Sequence, residues 1–319
     1  MLDQPLPVSF KNMPIPRNNL PVFWRDPRFP YLELRVIKDG HKVCYAPHSH
    51  RQWSMGVILA GQSYYQVQKL PAEGTGTHSH QIQAGSLVFM NPDQVHACSA
   101  IDNQPWSYGM FYIDTAWLAD RAYQMGLQSS QKWQDIPINL LNHSGLFTSV
   151  SELIYKLLAT RPAQIDAVSK QDDINAPSSA LYLTASIEKS LSDVLQVLFN
   201  QASGVVDASP IASISLVIAR VAALVDDQPQ ESLPLETLSQ QAGVTTTYLI
   251  RAFKRHYGLT PHAYQVNRRL QLAQQALKQG MPIVDAALIA GFADQPHFQR
   301  VFKKVLQATP NRYRQGLML

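Results

Sequence analysis

A segment near the C-terminus occurs twice, and this repeat restricts the fold more than any other feature of the sequence. Each copy holds an apolar-Pro-apolar triplet, an Ala-Gly-apolar triplet, a Phe-Lys-basic triplet and a Thr-Pro-x-x-Tyr motif, in that order. These motifs lie at 233–235, 242–244, 253–255 and 260–264, and again at 281–283, 290–292, 302–304 and 309–313. A helix that turns at the glycine into a second helix fits each copy. The repeat therefore predicts two helix-turn-helix units.

The second helix of each unit is predicted to bury one face and expose the others. Thr245 and Asp294 stand at its start as capping residues. The predicted core positions are spaced four apart: Leu249 with Phe253, and Phe298 with Phe302. The remaining faces carry Thr247, Ile250, Arg251 and Lys254 in the first unit, and Gln295, His297, Arg300 and Lys304 in the second. These are either solvated positions or a surface that reads DNA.

Arginine and glutamine suit base edges in a major groove, where they pair with guanine and adenine. The lysines of the Phe-Lys triplets, Lys254 and Lys303, are better suited to phosphates. Residues 264–279 predict one connecting helix with an apolar side. A rigid helix of this kind would place the two recognition helices in successive major grooves, about 10 base pairs apart. Tyr264 and Tyr313 follow each unit and are expected to pack against it.

Charge is distributed unevenly along the 319 residues. From Glu231 onward there are eleven lysines and arginines against four acidic residues, whereas the preceding part has a small acidic excess. Clustered cations suit a nucleic-acid partner, although a solvated helix surface would look the same. No apolar run approaches the roughly 18 to 20 residues of a membrane helix, and no secretory signal is visible at the start. With two cysteines, Cys44 and Cys98, the sequence favours a cytoplasmic location.

The N-terminal part has the pattern of an antiparallel barrel. Short runs at 33–37, 42–46, 55–59, 63–68, 87–90, 95–99 and 107–113 are separated by Gly, Pro and Asn. Helices are predicted at 114–126 and around apolar faces at 146–158 and 187–198. These faces either cover the barrel or form a dimer surface. The predicted units are therefore an effector-binding barrel at 1–130, a helical dimerisation or linker segment at 131–205, and a helical domain at 211–316.

Residues 211–316 resemble the DNA-binding domain of the AraC/XylS transcription regulators, and the segment 290–303 is close to that family's signature. The base-contacting positions of the family match Thr247, Ile250 and Arg251, and then Gln295, Pro296, His297 and Arg300. Two residues depart from the pattern. Gln307 stands where the first copy has Gly258, so this helix end lacks a residue free to take a positive φ. Pro296 has no backbone N–H to donate.

Residues 31–113 are similar to the cupin barrel through His48, His50 and His96. In metal cupins such histidines and a glutamate bind a transition metal, but Ser54 stands at the glutamate position. We expect a small-molecule pocket, with a metal on these histidines or a purely structural role as alternatives. The candidate effector-binding residues are Tyr45, His48, His50, Trp53, Tyr65, His96 and Trp106. Trp24, Arg25, Arg28 and Tyr108 are further candidates for the pocket wall.

Together these features predict a two-domain protein: an all-β cupin-like barrel with following helices, and an all-α domain with two helix-turn-helix units. The resemblance implies a DNA-binding transcription regulator that responds to a small-molecule effector. It also implies a homodimer that acts with RNA polymerase, and activation is the more usual action in the family. We expect no enzymatic activity and no cofactor. The alternatives are a metal-dependent cupin enzyme and a regulator controlled by a protein partner.

Overall fold

In a computed structural model, the described residues are 20–41, 43–69, 73–159, 176–202 and 216–316. They form a domain of two antiparallel sheets, three helices packed on it, and a helical C-terminal domain. This confirms the predicted fold class. Parts of the predicted units, at 1–19, 160–175 and 203–215, and residue 42 of one predicted strand lie outside the described residues. No helix among the described residues is long and apolar enough to cross a membrane.

Two sheets form the barrel. The first has the order β1-β2-β9-β4-β7-β10 and the second the order β3-β8-β5-β6. The strands are β1 Val22–Trp24, β2 Leu32–Gly40, β3 Cys44–His48, β4 Trp53–Ala60, β5 Gln62–Gln68, β6 Thr77–Gln83, β7 Ser86–Met90, β8 His96–Ala100, β9 Trp106–Ile113 and β10 Leu140–Asn142. In β5 buried and exposed residues alternate, since one face meets the interior and the other meets solvent. In β4 almost every residue is buried because helices cover its outer face.

All seven strands expected from the sequence are present, with ends that shift by a few residues. Three strands, β1, β6 and β10, were not expected. The sequence of β6, Thr-His-Ser-His-Gln-Ile-Gln, is polar because this strand lies at a sheet edge and pairs only with β5. An edge strand with two solvated faces lacks the alternation of apolar and polar residues from which strands are predicted.

The three helices that follow the barrel are α1 Thr115–Gln124, α2 Ser144–Ala159 and α3 Ala176–Ala202. Asp114 caps α1, and its carboxylate accepts from the N–H groups of Ala116 and Trp117. Helices α2 and α3 bury their apolar faces against the first sheet. Their approach is close: a Cβ at Gly109 of β9 would lie 2.5 Å from the Cδ1 atom of Ile154. The helices therefore cover the barrel, as one of the two interpretations expects.

The C-terminal domain consists of seven helices within 216–316: α4 Leu216–Asp227, α5 Leu235–Ala242, α6 Thr246–Tyr257, α7 Pro261–Lys278, α8 Ile283–Ile289, α9 Gln295–Leu306 and α10 Pro310–Gln315. The hydroxyl of Thr245 and the carboxylate of Asp294 accept hydrogen bonds from the first turns of α6 and α9, which confirms both caps. The predicted core residues Leu249, Phe253, Phe298 and Phe302 are fully buried, and Tyr264 and Tyr313 are buried beside them.

The end of α9 differs from the sequence expectation. Gln307 adopts the left-handed conformation, with φ 52°, in the position that Gly258 holds after α6. A residue with a Cβ takes this conformation at a cost of roughly 1–2 kcal/mol. Its side-chain amide donates to the carbonyl of Cys44 in the barrel at 2.7 Å, which offsets part of that cost. A contact with the other domain therefore holds this helix end.

Candidate DNA-binding surface and effector cavity

The recognition helices α6 and α9 present their predicted DNA-contacting residues away from the core. Thr247, Arg251, Lys254, Pro296, Arg300 and Lys303 are exposed, and Ile250, Gln295 and His297 are half-buried. In each helix the opposite face is fixed by two buried residues four apart. The caps leave the first turn of each helix regular, so its side chains can enter a groove.

Several C-terminal cations counted in the charge argument are engaged inside the protein. Arg268 is buried and forms ion pairs with Asp93 of the barrel and Asp226 of α4. Arg269 donates to backbone carbonyls at residues 229–231, and Arg312 to the carbonyl of Pro21. These groups serve the fold, so the surface available to phosphates is smaller than the net charge suggests.

A cavity lies inside the barrel, between its two sheets. Its lining includes the predicted residues Tyr45, His48, His96, Trp106 and Tyr108. Sequence reasoning missed seven others: Arg35, Ile58, Ile82, Val88, Cys98, Met110 and Tyr112. Its mostly apolar wall with a few polar groups is typical of small-molecule sites.

The other predicted pocket residues lie elsewhere. Trp53 is buried on the outer side of the first sheet, where it stacks on Phe89. Tyr65 belongs to the inner core of the barrel, but its hydroxyl donates to the carbonyl of Phe89 and its side chain does not line the cavity. Trp24 packs in the same outer core, and Arg28 pairs with Asp26. Trp24 and Trp53 were misplaced because an aromatic residue of a barrel strand points to either face, and the sequence pattern did not separate the two faces.

Arg35 of β2 connects the cavity to the DNA-binding domain. Its side chain is buried, with 2% of its surface exposed. One guanidinium nitrogen, Nη2, donates to the hydroxyl of Tyr45, which in turn is hydrogen-bonded to the hydroxyl of Tyr108. The same nitrogen donates to the carbonyl of Leu306, at the end of recognition helix α9, at 2.7 Å. The wall of the cavity therefore touches the second recognition helix directly.

The three histidines of the cupin-like motif lie close together, and two of them, His48 and His96, line the cavity. The ring centroids of His48 and His96 are 4.4 Å apart, and those of His50 and His96 are 4.9 Å apart. Burial lowers the pKa of His96 to about 4. Burial and the neighbouring imidazole of His96 lower the pKa of His50 to about 3, and the same two causes lower that of His48 well below its usual value. All three are neutral at pH 7.

Each histidine has the same tautomer, because its Nδ1 atom faces a backbone carbonyl. The partners are the carbonyls of residues 46, 52 and 94, at 2.8, 2.9 and 3.0 Å. A carbonyl only accepts, so Nδ1 carries the proton and Nε2 is an acceptor. The hydroxyl of Ser54 lies 3.1 Å from Nε2 of His50. Within the described parts of the chain, no group of three or more His, Cys, Asp or Glu is arranged to hold a metal ion.

A second, open cleft lies between the barrel and helix α7. It is lined from the barrel by residues that include Glu33, Arg35 and His50, and from the other domain by residues that include Asn267 and Lys278. Burial alone would raise the pKa of Glu33, but the charges of Lys278 and Arg25 lower it to about 2. The Glu33 carboxylate lies 2.6 Å from the Lys278 amine and 2.9 Å from the Arg25 guanidinium.

The barrel holds both recognition helices by their C-terminal ends. The amide of Gln68 donates to the carbonyl of His256 in α6 at 2.5 Å, as Arg35 does to Leu306 in α9. Between these points the amide of Asn267 in α7 bonds to both the carbonyl and the hydroxyl of Ser49. Polar residues of α7 are buried by these contacts. The sequence predicted an apolar face for α7 and gave no sign of this second buried face.

Comparison with known proteins places both domains in one family. Residues 32–171 match the AraC-like ligand binding domain, and residues 238–316 match a helix-turn-helix domain. An uncharacterized helix-turn-helix regulator of Bacillus subtilis, YbfI, is 26% identical over 84% of this chain and 86% of its own length. The probable transcription factor PqrA of Proteus vulgaris is 36% identical over 28% of this chain and 74% of its own length.

Solved structures show the same fold. Apo ToxT from Vibrio cholerae, in a variant form, superposes with a TM-score of 0.53 at 14% identity and covers 90% of this chain and 98% of its own. The chain belongs to the AraC family of helix-turn-helix transcription regulators. It is a transcription regulator with a ligand-binding N-terminal domain and a helix-turn-helix DNA-binding domain. This confirms the family that the sequence resembles.

Proposed function

We propose that the protein is an effector-controlled activator, in which a small molecule in the barrel cavity sets how the two recognition helices meet DNA. The observation that carries this proposal is Arg35, which lines the cavity and also bonds to the end of α9. A ligand that contacts Arg35 changes the hold of the barrel on that helix. Such a ligand shifts DNA binding only by the difference of its affinities for the two states.

The DNA contacts of the proposal are those of the exposed faces of α6 and α9. Arg251, Gln295 and Arg300 would read base edges from exposed or half-buried positions, together with Thr247, Ile250, Pro296 and His297. Lys254 and Lys303 would contact phosphates. The pocket residues of the proposal are Tyr45, His48, His96 and Trp106 inside the cavity, with His50 at the neighbouring cleft.

Further parts of the proposal concern assembly and location. The protein would act in the cytoplasm as a homodimer that works with RNA polymerase, and not as an enzyme, since its relatives are named as transcriptional regulators. Helix α3 supports dimer formation because Leu181 and Tyr182 are 71% and 63% exposed. The units would be 1–130 for the effector, 131–205 for the dimer and 211–316 for DNA.

The test is a selection of binding sites from random double-stranded DNA with the full-length protein. We expect enriched sites with two half-sites about 10 base pairs apart. A metabolite panel, screened by melting temperature of the full chain, is then added to the DNA-binding assay. A ligand that stabilises the protein and changes its affinity for the selected DNA supports the proposal. Enrichment of a single half-site, or stabilising ligands that all leave DNA affinity unchanged, contradicts it.

A further inference from the structure

Arg35 is a buried cation that faces no carboxylate among the residues the structure describes. Its neighbours in the cavity wall are the phenols of Tyr45, Tyr108 and Tyr112. Burial raises the pKa of Tyr45 to about 12 and that of Tyr108 well above its usual value, so these phenols are neutral. The Nε atom of Arg35 is buried without any hydrogen-bonding partner in the described structure. A buried, incompletely bonded guanidinium is costly unless a ligand completes it.

The surrounding charges leave this site positive. Glu33, two residues along the same strand, is already engaged by Arg25 and Lys278. The Glu33 carboxylate therefore pairs with two cations, and the charge of Arg35 is not balanced by it. A guanidinium presents donors in a planar fork that matches a carboxylate. The missing partner of Arg35 is, on these grounds, an organic anion.

The cavity also offers hydrogen-bond acceptors. His48 and His96 line the cavity, and their Nδ1 atoms are used on backbone carbonyls. Their Nε2 atoms are therefore acceptors. A ligand that fits them carries a hydroxyl or another N–H or O–H donor. The rest of the wall is apolar, with Ile58, Val88 and Met110.

We infer that the effector is a small hydroxycarboxylate, whose carboxylate binds Arg35 and whose hydroxyl donates to His48 or His96. This inference rests on the proposed function, because it names the ligand of the same cavity. A carboxylate that binds Nε and Nη2 of Arg35 competes with the Leu306 carbonyl, which now accepts from Nη2. Effector binding would thereby remove one of two hydrogen bonds that hold the end of α9 on the barrel, and leave the bond from Gln307 to Cys44.

The experiment uses matched probes on the full chain. Three hydroxy acids of increasing size, 2-hydroxybutyrate, 2-hydroxyhexanoate and 3-phenyllactate, are each compared with the acid lacking the hydroxyl and with the diol lacking the carboxylate. Affinity is measured from tryptophan fluorescence, since Trp106 lines the cavity. We expect at least one hydroxy acid to bind about ten- to hundredfold more tightly than both of its analogues, as lost charge-assisted hydrogen bonds imply.

Variants at the cation locate the binding. Arg35→Met should abolish the preference for acid over diol, and Arg35→Lys should retain that preference with weaker binding, because an ammonium keeps the charge but not the fork. If Arg35→Met does not fold, the weaker binding expected of Arg35→Lys still tests the role of Arg35. Arg28→Met is the matched control, since Arg28 pairs with Asp26 and does not line the cavity. Its binding should equal that of the unaltered protein.

The inference is overturned if none of the hydroxy acids binds, if the diol binds as tightly as its acid, or if the acid without the hydroxyl binds as tightly as the hydroxy acid. These failures differ from a failure of the proposed function. A hydroxy acid that binds through Arg35 without changing DNA affinity upholds the ligand class and contradicts the control of DNA binding. Another metabolite that changes DNA affinity, while no hydroxy acid binds, does the opposite.

Discussion

Mild acid should destabilise the barrel through its buried histidines. In the folded protein the pKa of His96 is lowered from 6.5 to about 4 by burial, and that of His50 to about 3 by burial and by His96. A lowered pKa in the folded state means that the unfolded chain binds the proton first. The stabilisation is therefore complete above pH 6.5 and is lost as the pH falls toward the folded pKa.

The size of the effect follows from these values. Between pH 7 and pH 5.5 an unfolded histidine becomes largely protonated while His96 stays neutral, which costs about 1.2 kcal/mol. His50 contributes about the same, and His48 adds in the same direction. The total is about 2.5 kcal/mol or more, a large part of the 5–15 kcal/mol that typically stabilises a protein. Glu33, with a pKa lowered from 4.5 to about 2, loses its stabilisation only at lower pH.

Urea unfolding at pH 7 and pH 5.5, followed by tryptophan fluorescence, measures this loss. All five tryptophans precede residue 134, so the signal reports the N-terminal domain. In His96→Gln the loss between the two pH values should be smaller by about 1.2 kcal/mol. His262→Gln, at an exposed position of α7, serves as the control. Equal stability at both pH values, or an equal effect of the two variants, would refute the reasoning.

Three further predictions address DNA contacts and backbone geometry. Arg251→Ala should weaken binding to a selected site by about 1–3 kcal/mol and relax the base preference at one position. Fluorescence anisotropy on single-base variants of the site measures both effects. An equal loss of affinity on random DNA would show that Arg251 contacts a phosphate. Lys303→Ala should weaken binding to all sequences and reduce the slope of log affinity against log salt by about one, and an unchanged slope contradicts a phosphate contact. Gly291→Ala should destabilise the protein more than Gly280→Ala in urea unfolding. Both glycines have a positive φ, but the new Cβ at 291 would lie 2.3 Å from the carbonyl oxygen of Gln230, whereas at 280 it meets nothing within 4 Å. Similar losses of stability in the two variants would place the whole cost in the backbone conformation.

The sequence predicted the helix-turn-helix units well because their determinants are local. The caps at Thr245 and Asp294 and the apolar pairs of the recognition helices act within one or two turns of the same helix. The strands with alternating or apolar sequences were predicted for the same reason. The polar edge strand β6 was missed because its pairing partner, and not its own pattern, makes it a strand.

The lining of the barrel cavity was only partly predictable. Tyr45, His48, His96 and Trp106 line the cavity, whereas Trp53 lies in the outer core and Tyr65 in the inner core beside the cavity. Residue type does not tell which face of a barrel strand lines a cavity and which meets helices. That choice depends on how the two sheets and the covering helices pack.

Sequence alone determined the two-domain architecture, the repeated DNA-binding unit and the family, because each is encoded in periodicity and short motifs. Tertiary structure decided what the charged residues do. Arg35 lies in a strand buried along nearly its whole length, and its role depends on Leu306, 271 residues away. Arg268 likewise reads as a surface cation but is buried between Asp93 and Asp226. A charge is engaged or free according to partners that folding brings from distant parts of the chain, and no local pattern records them.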